Sequence, residues 1–183
     1  ASTKETVTMG YMGNSNWGSN NASVDTPLQT VNYASCHDNY TLFDNLTIDV
    51  MDATGCTAAE AAAQAAAMNN LGAAYYITAQ GVPFIHAGEE MNRSKPSDPN
   101  LDANNGNADS GFFHNSYNAP DRVNSLKWDL LYDQPTVDVL EYYQGMIAFR
   151  KAHPALRLTT ANDVNERVSF LPNLPTNVLG YMI

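Results

Sequence analysis

The sequence predicts an α/β fold built around a parallel β-α-β unit. Two short apolar runs, residues 28–36 and 82–86, have the length and composition of strands, and an alanine-rich stretch between them is long enough for a helix. Strand, helix and strand in that order are typical of parallel pairing. Each apolar run ends in polar residues, and α/β folds commonly bind ligands at the carboxyl ends of their strands.

The composition is that of one acidic globular domain. The chain has 183 residues, of which 44% are hydrophobic and 15% are charged, and its net charge is −10. That apolar fraction is enough for a core, and the negative charge would repel nucleic acid. No apolar run approaches the roughly 18 residues of a membrane span. We therefore expect neither nucleic acid nor a membrane as a partner, and we expect Cys36 and Cys56 to be free thiols.

The segments around the first strand are predicted to be irregular. Residues 1–29 are rich in Gly, Ser, Asn and Thr, which favours loops. The strand itself, at residues 28–36, is expected to be buried. A second irregular connection is then expected to extend to Gly55.

The clearest element is a helix over residues 57–80. Thr57 and Glu60 fit a capping box at its start, and the alanines that follow have the highest helix propensity. Gly81 supplies the stop. The predicted buried stripe of this helix consists of Met68, Leu71, Tyr75 and Ala79.

The second half of the chain begins with a long polar region, residues 92–135, and a loop of that length is usually functional. A helix is predicted from Pro135 to about His153, because a proline follows there. Residues 168–170 and 178–183 are predicted strands. Since the last of them ends with the chain, we expect a truncated protein. The predicted helix stripe consists of Val139, Leu140, Tyr143, Met146, Ile147 and Arg150.

Two polar clusters follow the predicted strands. His37 and Asp38 follow the first, where an imidazole beside a carboxylate can bind vicinal hydroxyls and the carboxylate can stabilise a developing positive charge. The alternative is a capped turn. His86 and Glu89 follow the second strand, and although both are metal-ligand types, no His pair at helical spacing exists, so a tight turn at Gly88 is favoured and no metal site is predicted.

Two further runs in the polar region could bind ligands. Asn100, Asp102 and Asn104 alternate as in a calcium loop, but the EF-hand template fails because Gly106 falls one place late. Residues 115–121 place amide, hydroxyl and carboxylate groups around one aromatic ring, which suits a sugar. The alternative for that run is an Asx-type turn before its proline.

Three segments, taken together, resemble motifs of the type I pullulanases, which belong to glycoside hydrolase family 13 of the α-amylase superfamily. Residues 31–39 (Val-Asn-Tyr-Ala-Ser-Cys-His-Asp-Asn) are similar to the strand-seven motif of that superfamily, and residues 80–90 to the strand-eight motif of pullulanases. Residues 115–121 are similar to the pullulanase segment that follows. Three motifs in the family's order are far more specific than a lone His-Asp-Asn.

The resemblance implies a fold and a domain division. Residues 1–154 would be the C-terminal part of a (β/α)8 TIM barrel, with about strands seven and eight and their helices. Residues 155–183 would begin an all-β sandwich domain. The activity implied is retaining hydrolysis of α-1,6 linkages in pullulan, starch or glycogen dextrins, by a nucleophilic carboxylate and an acid/base carboxylic acid.

The resemblance also implies roles for four residues. Asp38 would stabilise the oxocarbenium-like transition state, and His37 would hydrogen-bond hydroxyls of the sugar being cleaved. Asn118 and Asp121 match positions that line the adjoining glucose subsite. Ser125 stands where some pullulanases carry an arginine, so contacts in that subsite are expected to differ.

The family's nucleophile and acid/base are expected to be missing. Both motifs should precede His37, where the only acids are Glu5 and Asp25. The resemblance therefore implies an inactive fragment, whose partners would be an α-glucan and the missing N-terminal part of the barrel. No cofactor is required, and calcium is allowed in the parent enzyme.

Two other classes stay open on the sequence alone. One is a noncatalytic carbohydrate-binding module, with Trp17, Trp128 and Tyr117 as its aromatic platform. The other is a calcium-binding structural domain built on residues 98–109.

Overall fold

The structure, a computed structural model, describes residues 3–14, 24–97 and 108–183. The regular structure there is mostly helical. The helices are α1 (Thr3–Tyr11), α2 (Leu42–Thr54), α3 (Ala58–Thr78), α4 (Asp121–Asn124), α5 (Gln134–Ala152) and α6 (Ala161–Arg167). The strands are β1 (Val31–Asn32), β2 (Val82–Pro83), β3 (Ala108–Asp109), β4 (Phe112–Phe113), β5 (Ser169–Phe170) and β6 (Tyr181–Met182). None of the helices described has the length and apolar character needed to cross a membrane.

The described residues fall into two compact units. Unit I lies within Ala1–Tyr33, Ala74–Phe84 and Met146–Ile183. Unit II consists of the described residues of Ala34–Ala73 and Ile85–Gly145.

Unit I contains the parallel strand pair that the sequence predicts. Val31 lies opposite Val82, and the ladder is extended by hydrogen bonds from Val82 N to Thr30 O and from Phe84 N to Asn32 O, both 2.9 Å. The strands are shorter than predicted. The expectation that the first is buried is wrong, because 56% of Val31 is exposed. In the described part of the chain this sheet has two strands only, so both are edge strands with apolar side chains.

Helix α1 corrects the prediction that residues 1–29 are irregular throughout. Its sequence contains β-branched residues and Gly10, which have low helix propensity, so the sequence gives no helix signal. Packing stabilises the helix instead. Tyr11 is 1% exposed and its ring centroid lies 4.2 Å from that of Tyr181. The same core contains Met12, Ala79, Leu158, Val164 and Val168.

Arg150 fixes the path of the chain from α3 into β2. Its buried guanidinium donates to the carbonyl oxygens of Ile77 (2.8 Å), Ala79 (2.8 Å) and Gly81 (2.7 Å). A buried carbonyl oxygen left without a donor destabilises the fold by about 1–3 kcal/mol. The Arg150 guanidinium alone supplies donors to three such oxygens. The helix that carries Arg150 is confirmed as α5, with Val139 and Tyr143 of the predicted stripe also buried.

The C-terminal strands are confirmed as an antiparallel pair. Phe170 in β5 lies opposite Tyr181 in β6, and Leu171 N donates to Gly180 O at 2.8 Å. Both strands belong to unit I. The division of the chain between residues 154 and 155 stays a prediction.

In unit II, helix α2 replaces the predicted irregular connection to Gly55. The Thr41 hydroxyl accepts from Asp44 N (3.1 Å) and caps the start of the helix, while Gly55, with φ 73°, ends it in the left-handed conformation. The helix is rich in Thr, Asp and β-branched residues, whose propensities are low. The caps and the packing of this segment, and not its helix propensity, therefore make it helical.

Helix α3 is confirmed, including its capping box. The carboxylate of Glu60 accepts from Thr57 N at 2.8 Å. The predicted stripe is wrong in part, because 71% of Leu71 is exposed. Within unit II the buried face consists of Ala61, Ala65, Asn69 and Ala73. An alanine-rich helix offers little contrast between its faces, so periodicity alone cannot select the buried one.

The described part of the polar region 92–135 has more regular structure than predicted. It contains the β3–β4 hairpin, with Asp109 opposite Phe112, followed by α4 and a 3₁₀ turn, Trp128–Tyr132. Phe112 and Phe113 are buried and anchor the hairpin.

Candidate active site

Unit II contains a cavity of about 250 Å³ that is lined by polar and charged residue types. Four stretches of chain form it: the turn after β1, the segment after β2, the residues just beyond that segment, and the stretch between β4 and the end of α4. The lining residues are His37, Asp38, His86, Arg93, Lys95, His114, Asn115, Ser116, Tyr117 and Asn124. The structure thus brings both predicted polar clusters and the predicted sugar-binding run to one place.

His37 and Asp38 form an open pair at this cavity, as the sequence predicts for residues that follow a strand. The distance between His37 Nε2 and Asp38 Oδ1 is 3.5 Å, and the exposed fractions of the two side chains are 85% and 76%. Asn39 closes the turn with φ 64°, a left-handed conformation that Asn tolerates better than most residues. The Asp38 carboxylate is therefore free to accept hydrogen bonds from hydroxyl groups or to face a positive charge.

Lys95 lies beneath this turn and was missed in the sequence. The residue is 2% exposed, and its Nζ donates to Asn39 O (2.8 Å) and to Ser116 Oγ (3.1 Å). Burial lowers the pKa of Lys95, and the carboxylates of Asp44 and Asp38 oppose that shift. Lys95 thus links the Asp38 turn to the run at 115–121.

Asp44 fixes the backbone of Lys95 from α2. Its Oδ2 accepts from Lys95 N at 2.8 Å, and the residue is fully buried. Burial raises the pKa of Asp44, while hydrogen bonds from Ser94, Lys95 N–H and Thr41 act in the opposite direction. The hydrogen bond from Lys95 N offsets part of the cost of burying this carboxyl group.

Arg93 contacts the ring of His86 and two backbone carbonyl groups. Its Nη1 lies 3.3 Å from His86 Nε2 and donates to Ala87 O (3.1 Å), while Nη2 donates to Asn124 O (2.5 Å). A guanidinium cannot accept a hydrogen bond, so a hydrogen bond at this contact requires an unprotonated His86 Nε2 and a ring proton on Nδ1. Burial lowers the pKa of His86, and the charges of Arg93, Lys95 and His37 lower it further. The ring is therefore neutral at pH 7.

Arg93 and Lys95 did carry a sequence signal. They are the only Lys or Arg residues between Lys4 and Arg122. Cations that only solvate the surface are usually spread along a chain. Two isolated cations directly after a predicted polar cluster instead indicate charges that are buried or that line a site.

Asn118 and Asp121 lie beside the cavity but not among its lining residues. Both are exposed, and Asp121 is the first residue of α4. The run forms a turn in which Ala119 N donates to Ser116 O (3.0 Å), and Asn124 Nδ2 donates to Ser116 O (2.7 Å). Their assignment to a sugar subsite stays a prediction. Tyr117, which is 82% exposed, supplies the ring that the sequence predicts in this run.

The glutamates of the second cluster have structural partners. Glu89 is buried and accepts from Ser35 Oγ at 2.5 Å, while Glu90 accepts from Gly88 N at 2.9 Å. Asn69 holds the same turn, since its Nδ2 donates to Glu89 O at 2.8 Å. Tyr143 Oη donates in turn to Asn69 Oδ1 at 2.8 Å. This geometry agrees with the favoured interpretation of a tight turn.

Among the residues that the structure describes, no three His, Cys, Asp or Glu side chains are placed to hold a metal ion. The alternating run Asn100, Asp102 and Asn104, on which a calcium-binding domain would be built, lies outside the described residues, as does Trp17. Cys36 and Cys56 are free thiols, as expected.

Comparison with known proteins identifies a relationship along nearly the whole chain. The pullulanase of Bacillus subtilis strain 168 is 30% identical over 179 residues, which are 98% of this chain and 21% of that protein. The crystal structure of the Paenibacillus barengoltzii pullulanase superposes with a TM-score of 0.72 at 34% identity, covering 94% of this chain and 23% of that one. The chain represents a segment of a type I pullulanase.

Other comparisons also match nearly all of this chain to a limited part of a larger protein. The catalytic module of a glycogen-degrading pneumococcal virulence factor superposes with a TM-score of 0.79 at 27% identity, over 97% of this chain and 28% of that one. No protein-family model matches the segment. The chain spans about a fifth of the length of the curated pullulanases that it matches.

Proposed function

We propose that this segment contributes part of the catalytic site of an enzyme that hydrolyses α-1,6-glucosidic linkages in pullulan, starch or glycogen dextrins with retention of configuration. The observation that carries the proposal is the cavity where the Asp38–His37 pair meets the polar run at 115–121. The similar P. barengoltzii pullulanase has been solved with maltohexaose and α-cyclodextrin and, as mutants, with maltotetraose and maltotriose. An α-glucan is therefore the proposed ligand of this cavity.

The proposed mechanism gives the chain's residues supporting roles around the reacting carbon. Retaining hydrolysis develops positive charge at the anomeric carbon, and the Asp38 carboxylate stabilises that charge. His37 hydrogen-bonds a hydroxyl group of the sugar being cleaved. His86, neutral and protonated on Nδ1, is a further neutral hydrogen-bonding group. The nucleophile and the acid/base come from the part of the barrel that precedes this segment.

We propose that β1 and β2 are strands seven and eight of a (β/α)8 barrel and that the missing N-terminal part of the barrel covers them. Their parallel pairing supports this assignment. So do the exposed apolar side chains of Tyr33 (56%) and Phe84 (43%), whose ring centroids lie 6.0 Å apart. A closed barrel leaves no such edge. The antiparallel β5–β6 pair supports the proposal that residues 155–183 begin a β-sandwich domain.

The function is tested by hydrolysis with the full-length pullulanase that carries this segment. We expect it to release reducing ends from pullulan but not from linear α-1,4-linked amylose. ¹H NMR of the fresh hydrolysate should show the α-anomer first, because two displacements at the anomeric carbon restore its configuration. Initial β-anomer would contradict retention, and equal rates on both polymers would contradict the proposed linkage.

Asn118 and Asp121 are expected to contribute to substrate binding. Alanine at either position in the full-length enzyme should raise KM for pullulan by roughly 3- to 10-fold, with a smaller fall in kcat than Asp38→Asn causes, because their hydrogen bonds act in the ground state as well as in the transition state. Steady-state kinetics measure the effect. Asp129→Ala, at an exposed carboxylate on the same stretch outside the cavity, is the control. If substituting both Asn118 and Asp121 changes neither parameter, they belong to a turn and not to a subsite.

A further inference from the structure

Lys95 makes contacts that neither the sequence motifs nor the proposed mechanism assigns to a function. Its ammonium group is enclosed, and its two acceptors, Asn39 O and Ser116 Oγ, belong to the two segments that carry the proposed site. These acceptors come from parts of the chain 77 residues apart (residues 39 and 116), and the Lys95 side chain joins them.

The side chain starts from a backbone that is fixed on both sides. Lys95 N donates to Asp44 Oδ2 at 2.8 Å, and Lys95 O accepts from Phe113 N at 2.8 Å. Asp44 is buried in α2, and Phe113 is buried in β4. The position of the ammonium is therefore set by two elements of unit II and not by the loop that it contacts.

The carbonyl that Lys95 holds belongs to the residue directly after Asp38. Asn39 has φ 64°, a conformation that non-glycine residues adopt rarely and that needs support from its surroundings. A hydrogen bond from an ammonium to a carbonyl is stronger than one between neutral groups. The hydrogen bond from Lys95 Nζ to Asn39 O therefore holds the backbone next to Asp38, and with it the orientation of the Asp38 side chain.

Placing a charge in this position has an energetic cost. Taking an ammonium out of water costs several kcal/mol before its partners compensate, and burial lowers the pKa of Lys95 accordingly. Its two hydrogen-bond acceptors are neutral oxygens, so the contacts serve geometry more than ion pairing. A methionine would fill the same volume without that cost.

We propose that Lys95 is a positioning residue, which holds Asp38 in its working orientation through the Asn39 carbonyl and ties it to the Ser116 segment. This inference rests on the proposed role of Asp38. It assigns Lys95 no contact with substrate. The consequence is that loss of Lys95 should act on turnover only through Asp38.

The test is a double-mutant cycle in the full-length enzyme, with Lys95→Met, Asp38→Asn and the pair assayed on pullulan. Lys95→Met should lower kcat roughly 10- to 100-fold, the scale of a misplaced catalytic group, with little change in KM. In the Asp38→Asn background the same substitution should lower kcat less than about threefold, because there is no carboxylate left to misplace. Lys127→Met is the matched control, since Lys127 Nζ also donates to a carbonyl and a hydroxyl, those of Ser125, but lies outside the cavity.

The outcomes separate the two proposals. If Asp38→Asn itself leaves kcat unchanged, the proposed role of Asp38 fails. If Asp38→Asn lowers kcat as expected while Lys95→Met leaves kcat unchanged, or lowers it by the same factor in both backgrounds, the positioning role is overturned. Should Lys95→Met fail to fold, Lys95→Arg enters the same cycle: it keeps the charge but displaces the donors, and the same coupling to Asp38 is expected. Equal factors in both backgrounds would again overturn the proposal.

Discussion

Asp38→Asn in the full-length pullulanase that carries this segment is expected to lower kcat by roughly 10²-fold or more, with KM nearly unchanged. The substitution keeps the shape of the side chain and removes its charge. A carboxylate that faces developing positive charge matters most in the transition state, and a loss of this size corresponds to about 2.7 kcal/mol.

The exposure of Asp38 argues against a role in folding and agrees with its proposed role in charge stabilisation. The Asp38 side chain is 76% exposed and that of its neighbour His37 is 85% exposed, so among the described residues no buried network depends on the carboxylate. Asp38→Asn should therefore leave the melting temperature of the enzyme unchanged. Asp52→Asn, at an exposed carboxylate of α2, is the matched control and should alter neither property.

Two measurements decide this prediction. Steady-state kinetics on pullulan separate kcat from KM, and thermal unfolding shows whether the variant is folded. Near-normal turnover in a folded Asp38→Asn enzyme would remove Asp38 from the catalytic site. A rise in KM with kcat unchanged would make it a binding residue only.

The long elements of this chain could be predicted because their signals are local. Thr57 and Glu60 begin α3 through a capping box that the structure confirms, and the alanines between them and Gly81 need no tertiary partner to favour helix. The parallel pairing of β1 with β2 follows from the order of strand, helix and strand along the chain.

Helix α2 could not be predicted from propensity, since its sequence is unfavourable. Its signals were the pair Thr41 and Gly55, which cap it at both ends. The same residue types also occur in loops, so the caps become informative only when the helix packs. Tyr11 of α1 illustrates the same limit, because its burial depends on Tyr181, at the far end of the chain.

The sequence predicted the residues of the candidate site that follow strands within recognisable motifs. It did not predict the buried lysine, because lysines usually lie at the surface. His37 and Asp38 are polar, exposed and adjacent in sequence, so the motif shows them directly. Lys95 is a lysine that is 2% exposed, and lysines are almost never buried without partners. Its partners, Asn39 O and Ser116 Oγ, become neighbours only in the folded chain.

The isolated 183-residue chain is expected to release no reducing ends from pullulan, whereas mixing it with the N-terminal part of the barrel is expected to restore activity. Retaining hydrolysis needs two carboxyl groups about 5–5.5 Å apart across the scissile bond. Among the described residues that line the cavity, Asp38 is the only acid. Loss of one member of a cooperating catalytic set removes most of the rate, and the proposed mechanism places two members outside this segment.

Glu89 and Glu90, which follow the cavity residue His86, are not placed to act as the missing pair of carboxyl groups. Glu89 is buried and accepts from Ser35 Oγ, and Glu90 accepts from Gly88 N, so both stabilise the turn after His86. The assay compares reducing-end release by the chain alone, by the N-terminal part alone and by the mixture, with Asp38→Ala tested in the chain alone and in the mixture. Activity of the chain alone that Asp38→Ala abolishes would show that it holds a complete site. Tight maltooligosaccharide binding by the inactive chain, measured by titration calorimetry, would favour a carbohydrate-binding module. Activity that appears only on mixing, and is lost with Asp38→Ala, would show that the two parts together supply the carboxylates and that the edges of β1 and β2 accept the remaining strands.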